Sequence, residues 1–211
     1  MPASGVYWLG ADLGVFMASR YVAKAELALA ERLRFLEMLL KLDMGPRTAL
    51  ILMIPVGFML AVRLGLAPFA QNLLPFIWIF ALGWLALAWR LFLTGHSANT
   101  ATLAKLDHWL RVSVAALFVS MGAAALLTGT PIEARWLAVK LLLFGIVVVI
   151  GLLLRGVLRA WARGFALLRA NTEIASANAL IISAYQRSTR LAHGLWLLVA
   201  LIAMLGVTKP F

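Results

Sequence analysis

Long apolar runs separated by short polar segments dominate the hydrophobicity pattern of this chain. Six runs are candidates for membrane-spanning helices, and they occupy residues 5–19, 46–61, 73–92, 106–127, 134–154 and 191–207. The second to the sixth are long enough to cross a bilayer, whereas the first is short and is expected to continue as helix past the headgroups. The pattern therefore predicts an all-α fold, a polytopic bundle of six transmembrane helices forming one domain over residues 1–211.

The segment between the first and second runs, residues 23–42, has a helical period of its own. Four leucines share one side of this helix and four charged residues lie mostly on the other: Leu29, Leu33, Leu36 and Leu40, against Lys24, Glu31, Arg34 and Lys41. Such a pattern is typical of an interfacial helix or a cytoplasmic amphipathic extension. Gly45 and Pro46 follow, and we expect them to end this helix, with Pro46 as the first residue of the next one.

Two further turn signals separate the later runs. Thr94-Gly95 predicts the end of the third spanning helix. Thr130-Pro131-Ile132-Glu133 has the spacing of a capping box with proline at the first helical position, so it predicts a tight turn into the fifth helix.

Composition agrees with a membrane protein. The chain is 64% hydrophobic and 13% charged, and its mean hydropathy is +0.98, which is too high for a domain surrounded by water. It contains no cysteine, which excludes disulfides, thiolate catalysis, iron–sulfur ligation and cysteine-based zinc sites. The net charge of +11 collects at the ends of apolar runs, so topology and anionic lipids explain it better than nucleic acid does.

The distribution of basic residues predicts the orientation. Fifteen of the 19 lysines and arginines fall on one side of the six-helix scheme: Arg20, Lys24, Arg32, Arg34, Lys41, Arg47, Arg90, Lys105, Arg111, Arg155, Arg159, Arg163, Arg169, Arg187 and Arg190. By the positive-inside rule this side is cytoplasmic. We therefore predict a multi-pass protein of a bacterial-type inner membrane with both termini on the non-cytoplasmic side.

Asp12 is the carboxylate near the middle of the first run, where an ionised group must be sequestered from lipid and partnered. Gly10, Gly14 and Ala18 follow one another at spacings of four and are expected to let a second helix pack closely. Lys140 lies at similar depth in the fifth run, so we expect it to pair with Asp12. The pair is either structural or a site for a proton, a metal ion or a substrate.

Two histidines are the candidates for haem or metal ligands. His108 and His193 are both expected about one turn inside the cytoplasmic boundary, on the fourth and sixth helices. Two imidazoles on facing helices suit the axial positions of a haem iron, and Arg111 and Arg190, each three residues away, suit its propionates. The alternative is that both histidines are interfacial or hydrogen-bonded groups without a ligand.

Arg155, Arg159 and Arg163 form a ladder four residues apart on one helical face. A cytoplasmic basic stripe of this kind attracts anionic lipid headgroups. An anionic ligand is the other candidate.

Two stretches resemble a known family. Gly14-Val15-Phe16, with Arg20 and Val22 after it, resembles the end of the first helix of the HemJ-type protoporphyrinogen oxidases and of the related copper-resistance CopD-like membrane proteins. The segment from Trp136 to Leu143, which includes Lys140, is similar to the tryptophan–lysine helix of the same group. Met44, Pro55 and Gly57 fit the helix between them.

The resemblance implies a haem-binding membrane bundle in which Lys140 matches the lysine that the family needs. The chain has no histidine before His96, and Ser4 stands about where the family has its first-helix histidine. Porphyrinogen oxidation is therefore not the expected activity. The resemblance instead implies a divergent relative whose polar first-helix residue is Asp12.

Three functions follow as hypotheses. The first is a protein that holds haem b, copper or a similar ligand, or that serves as a subunit of a membrane redox or metal-handling complex. The second is a solute or copper-ion carrier that uses the intramembrane Asp12–Lys140 pair. The third is an accessory subunit with a purely structural role. The expected partners are anionic lipids at the cytoplasmic face and either further copies of the chain or a larger membrane complex, and no nucleic acid.

Overall fold

The polypeptide is built from α-helices, as predicted. The computed structural model describes residues 3–95 and 100–209, with side chains from Gly10 onward. Within these ranges there are six α-helices: α1 Ala3–Ala23, α2 Leu29–Arg63, α3 Leu74–Thr94, α4 Ala101–Thr128, α5 Arg135–Arg169 and α6 Ile174–Thr208. A short 3₁₀ helix, Pro68–Leu73, leads directly into α3.

Five helical segments in the described ranges are long and apolar enough to cross a membrane. They are α2, the 3₁₀ helix together with α3, α4, α5 and α6. The number follows from length and hydropathy, because a crossing helix needs about 20 mainly apolar residues. A multi-pass membrane protein is thus the class that the helices indicate.

The predicted end of the third spanning helix is confirmed. Helix α3 ends at Thr94, and Gly95 has a φ of 67°, a backbone conformation that glycine adopts without steric penalty. Helix α5 extends beyond its apolar run, through the arginine-rich segment to Arg169.

The predicted break at Gly45 and Pro46 is wrong. Helix α2 runs without interruption from Leu29 to Arg63, so most of the amphipathic segment is the first part of this helix and not a separate one. Packing explains the difference: Met44 is buried, and a Cβ atom at Gly45 would lie 3.4 Å from the Cβ of Ala11 on α1. The glycine marks an approach of two helices here, because tertiary contacts override the local tendency to end a helix.

The predicted capping box at Thr130–Glu133 is also wrong. Helix α4 ends at Thr128, the next residue, Gly129, has a φ of 71°, and α5 begins only at Arg135. Ile132 between them is 1% exposed and packs in a cluster with Ala125 and Ala138. The segment remains outside the helix and buries this isoleucine.

Contacts divide the chain into two compact units, and each is described by itself. Unit 1 comprises Met1–Arg47 and Leu153–Leu197. Its core contains buried side chains of α1, α2, α5 and α6: Ala18, Val22, Leu39, Val157, Trp161, Phe165, Ile181 and Ala184.

Arg32 on α2 contacts the three other helices of unit 1, although the residue is only 2% exposed. Its Nε donates to the carbonyl oxygen of Val22 at 2.9 Å, and its Nη1 donates to Oδ1 of Asn178 at 2.8 Å. The guanidinium also lies 5.3 Å from the ring centroid of Phe165. Val22 is in the last turn of α1, where carbonyl groups have no partner within the helix, so Arg32 caps this helix end.

Unit 2 comprises Thr48–Leu152 and Leu198–Phe211. Its largest cluster includes Ile51, Trp84, Phe118 and Val148. Helices α4 and α5 approach closely at Gly122, because a Cβ atom there would lie 2.6 Å from the backbone nitrogen of Leu142. Small residues thus permit close helix packing in this unit, as they do in many membrane bundles.

The three small residues of α1 that were predicted to allow close helix packing have different surroundings. Ala18 is buried in the core of unit 1. A Cβ atom at Gly14 would meet only the side chain of Leu42, at 3.2 Å. Gly10 is exposed, and a Cβ atom there would have no neighbour within 4 Å in the described part of the chain.

Candidate functional site

Asp12 is a half-buried carboxylate on α1, and its hydrogen-bond partner is an indole. Nε1–H of Trp196 on α6 donates to Oδ2 of Asp12 at 2.5 Å. The carboxylate is therefore sequestered and partnered, as an acidic group among apolar helices must be. The donor is a neutral group from a residue that the sequence did not single out.

Aromatic rings extend this contact along both helices. Phe16, one turn after Asp12, meets the rings of Trp196 and His193 edge-on, with centroid distances of 5.2 and 5.7 Å. The rings of His193 and Trp196 are 5.5 Å apart. Residues four apart on α1 and three apart on α6 share a helix face, which places all four side chains together. We call Asp12, Phe16, His193 and Trp196 the Asp12 cluster.

His193 has a defined proton arrangement. Its Nδ1 lies 2.8 Å from the carbonyl oxygen of Thr189 in the preceding turn of α6. A carbonyl oxygen only accepts, so Nδ1 carries the proton. In the neutral imidazole, Nε2 then holds a free lone pair. The side chain is exposed, so this nitrogen is accessible to a ligand.

The predicted Asp12–Lys140 pair stays a prediction, since the two residues belong to different units. The Lys140 ammonium lies 5.9 Å from the ring centroid of Trp136, one turn earlier on α5. It also rests against α6, because a Cβ atom at Gly206 would be 2.8 Å from the lysine Nζ.

Unit 2 holds a buried charged group that the sequence analysis missed. Asp107 is 1% exposed and accepts hydrogen bonds from Nε1 of Trp84 at 2.9 Å and from Nε of Arg111 at 3.2 Å. The Arg111 guanidinium also lies 5.4 Å from the ring centroid of Trp84. The spacing of four between Asp107 and Arg111 within an apolar helix was the available signal.

Arg111 was predicted to contact a haem propionate or an anionic lipid, but the structure places it elsewhere. This arginine is buried, and its charge is paired with that of Asp107. A buried pair of this kind fixes helix packing and is not available to an external anion.

The remaining predicted residues lie at the surface. His108 is exposed and packs edge-on against the neighbouring Trp109. Arg159, Arg163 and Arg190 are exposed, whereas Arg155 is half-buried and has further interactions. Exposure of this kind agrees with lipid contact and leaves the choice of ligand open. The loop with His96 and the side chain of Ser4 lie outside the described residues.

Metal ligation by the protein alone has little support in residues 10–95 and 100–209. No group of three or more histidine, aspartate or glutamate side chains is close enough to hold a metal ion there. A ligand at the Asp12 cluster would therefore have to bring donors of its own, because one imidazole and one carboxylate do not complete a metal site.

Comparison of the chain with family models, with curated proteins and with solved structures finds no match.

Proposed function

We propose that this chain is a HemJ- or CopD-like membrane protein that holds a haem-type ligand at the Asp12 cluster, as part of a membrane redox or metal-handling system. One observation supports the proposal best: the hydrogen bond from Nδ1 of His193 to the Thr189 carbonyl. Histidines that ligate metals almost always donate their second ring N–H to such an acceptor, which fixes the ring and leaves the other nitrogen for the metal.

The residues present fit haem better than a bare copper ion. A porphyrin would supply four nitrogen donors to the iron, so the protein would need to add only one, and Nε2 of His193 could provide it. The aromatic rings of Phe16 and Trp196 pack against the imidazole of His193. Arg190, three residues before His193, is exposed. When bound, the haem would supply one-electron chemistry. Asp12 fixes the Trp196 indole, which in turn orients the imidazole.

The membrane topology belongs to the same proposal. Helix α1 has 21 residues and would span about 30 Å, so together with the five longer segments it gives six crossings. The charge count supports a cytoplasmic position for the polar end of α2 and for the α5–α6 connection. Both termini then lie outside the cytoplasm of a bacterial-type inner membrane.

An absorption spectrum tests the haem proposal. The full chain is purified in a mild detergent, with haem supplied during expression, and we expect a Soret band with about one haem per chain. His193→Ala should abolish the band. His108→Ala, which removes another exposed histidine, is the matched control and should keep the full band. A wild-type protein without a Soret band, or a full band in His193→Ala, would refute the proposal.

A carrier is the second candidate, and the neutral partner of Asp12 favours it. Within the described residues of unit 1 the ion pairs are Glu37–Lys41 and Asp43–Arg47, and the Asp12 carboxylate takes part in neither. An intramembrane carboxylate of this kind is a candidate for binding a proton or a cation.

Transport in proteoliposomes tests the carrier, with copper(I) as the first cation. Asp12→Asn should abolish uptake while the protein remains folded, and Glu26→Gln, in the exposed α1–α2 loop, should leave it unchanged. Equal uptake by Asp12→Asn and wild type would exclude this candidate. An accessory subunit would give neither a Soret band nor uptake, and it would co-purify with larger membrane proteins.

A further inference from the structure

Unit 2 contains an apolar cavity that the proposed function does not use. Its volume is about 160 Å³, and side chains of α2, α4, α5 and α6 line it. Among the described residues of this lining, Lys140 is the one that carries a charge, and Phe58, Phe118 and Phe144 are among the apolar ones. A cavity of about 150 Å³ in another protein holds benzene, so this one has room for a ring or for about six carbons of a chain.

The cavity opens toward the outer surface of the helices. Met53 and Leu60 on α2, and Leu64 directly after it, line the cavity and are each about half exposed. In a membrane, exposed apolar side chains of this kind face the acyl chains. A hydrocarbon chain can therefore enter sideways from the bilayer without crossing water.

Two ammonium groups lie beside Trp136, which is one of the residues that line this cavity. The Nζ atoms of Lys140 and Lys209 lie 5.9 and 5.8 Å from the ring centroid of Trp136. Among the described residues of unit 2, neither ammonium has an acidic partner within ion-pair distance. Both charges would therefore stabilise an anion that binds near this indole.

The position of the lysines along the helices matches that of a lipid headgroup. Trp136 is the second residue of α5, and Lys209 directly follows the last residue of α6. Tryptophan and lysine at helix ends mark the membrane–water interface. The site is distinct from the predicted lipid contacts of Arg155, Arg159 and Arg163, which lie at least 15 residues further along α5.

We infer that Lys140, Lys209 and Trp136 bind the anionic headgroup of a membrane lipid, and that the adjacent cavity holds a segment of its acyl chain. The headgroup contributes a phosphate for the two ammonium groups, and the tail explains the apolar lining. The inference is independent of the haem proposal, because it involves unit 2 alone.

Lipid binding to the full chain in neutral detergent, measured by native mass spectrometry, tests the inference. Phosphatidylglycerol should bind with one preferred site and more tightly than phosphatidylcholine. Lys140→Gln and Lys209→Gln should each weaken it about fivefold, in line with the usual effect of one basic residue near anionic lipid. Lys105→Gln, an equal charge change at the exposed start of α4, is the control and should have no effect on this site.

A second pair of variants tests the site without changing any charge of the protein. Gly206→Ala places a methyl group 2.8 Å from the Lys140 Nζ and should displace the ammonium, which weakens lipid binding. Gly194→Ala on the same helix meets no atom within 4 Å and should leave it unchanged. This pair still tests the inference if a lysine variant fails to fold.

Inorganic phosphate and short-chain phosphatidylglycerol separate the headgroup from the tail. Free phosphate should fail to displace the lipid at millimolar concentration, and the short-chain lipid should bind more weakly than the long-chain one. Equal binding of phosphatidylcholine, unchanged binding in Lys140→Gln and Gly206→Ala, or full displacement by free phosphate would each overturn the inference.

Discussion

Trp196 and Asp12 stand 184 positions apart in the sequence, and the indole N–H of the first donates to the carboxylate of the second. Unit 2 contains the same kind of contact, between Trp84 and Asp107. In both units a carboxylate among apolar helices accepts a hydrogen bond from a tryptophan, and Asp107 also accepts one from Arg111. An indole supplies one donor and a large apolar surface, so it satisfies the acid without adding a second charge.

Trp196→Phe should therefore weaken unit 1, because it retains an aromatic ring and removes the donor to Asp12. Leaving this acceptor without a partner costs about 1–3 kcal/mol. The free energy of unfolding in detergent, measured by denaturant titration, should fall by that amount. Trp109→Phe is the control, since Trp109 is 64% exposed. An equal loss in both variants would contradict the role of this hydrogen bond.

Asp107→Asn should have a larger effect, since it removes the carboxylate charge that pairs with the buried guanidinium of Arg111. Removing one partner of a buried ion pair costs about 3–5 kcal/mol. The same titration measures it. Replacing both residues, with Asp107→Leu and Arg111→Met, should recover most of the loss. The exposed pair of Glu37 and Lys41 gives the comparison, and Lys41→Gln should leave the unfolding midpoint unchanged.

Gly122→Ala should disturb the contact between α4 and α5. The new Cβ atom would lie 2.6 Å from the backbone nitrogen of Leu142 and 2.9 Å from the carbonyl oxygen of Ala138, and backbone atoms cannot rotate away. Overpacking of this kind costs about 1–3 kcal/mol. Gly156→Ala on α5 meets no atom within 4 Å, so it should be neutral or stabilising in the same unfolding titration. A stable Gly122→Ala protein would show that the two helices are further apart.

Single introduced cysteines test the proposed topology. The sequence contains no cysteine, so any labelling is due to the introduced residue. Glu26, Thr130 and Thr172 are exposed positions in three different connections between helices. With a membrane-impermeant maleimide, intact cells should label Thr130→Cys, whereas Glu26→Cys and Thr172→Cys should react only after permeabilisation. Labelling of Glu26→Cys and Thr130→Cys from the same side would contradict six crossings.

The helical architecture was predictable because hydropathy depends on composition over long windows. The positions of helix ends that depend on packing were not predictable in this way. Gly45 and Pro46 have the local chemistry of a helix end, but contact with Ala11 and burial of Met44 maintain α2 through them. Thr130–Glu133 has the spacing of a cap, but burial of Ile132 keeps the segment outside α5. In both cases the decisive partner is distant in sequence.

The candidate site was predictable in part for a similar reason. A carboxylate in an apolar run must have a partner, which identified Asp12. The identity of that partner depends on how each helix is rotated about its axis, and the sequence does not specify this rotation. The charge pattern of the sequence predicts Lys140, and this pair stays a prediction. The hydrogen bond from Trp196 within unit 1 was not predicted. Asp107 was missed because it lies close to the polar end of its run.

The lengths of α2, α5 and α6 have a practical consequence for imaging. Each helix has 35 residues and is therefore about 52 Å long, whereas the hydrocarbon layer is about 30 Å thick. A rigid fusion partner or an antibody fragment attached to the projecting part of such a helix would stand clear of the detergent belt. Such a partner would give this 23.0 kDa chain a rigid feature outside the detergent, which particle alignment in electron microscopy requires.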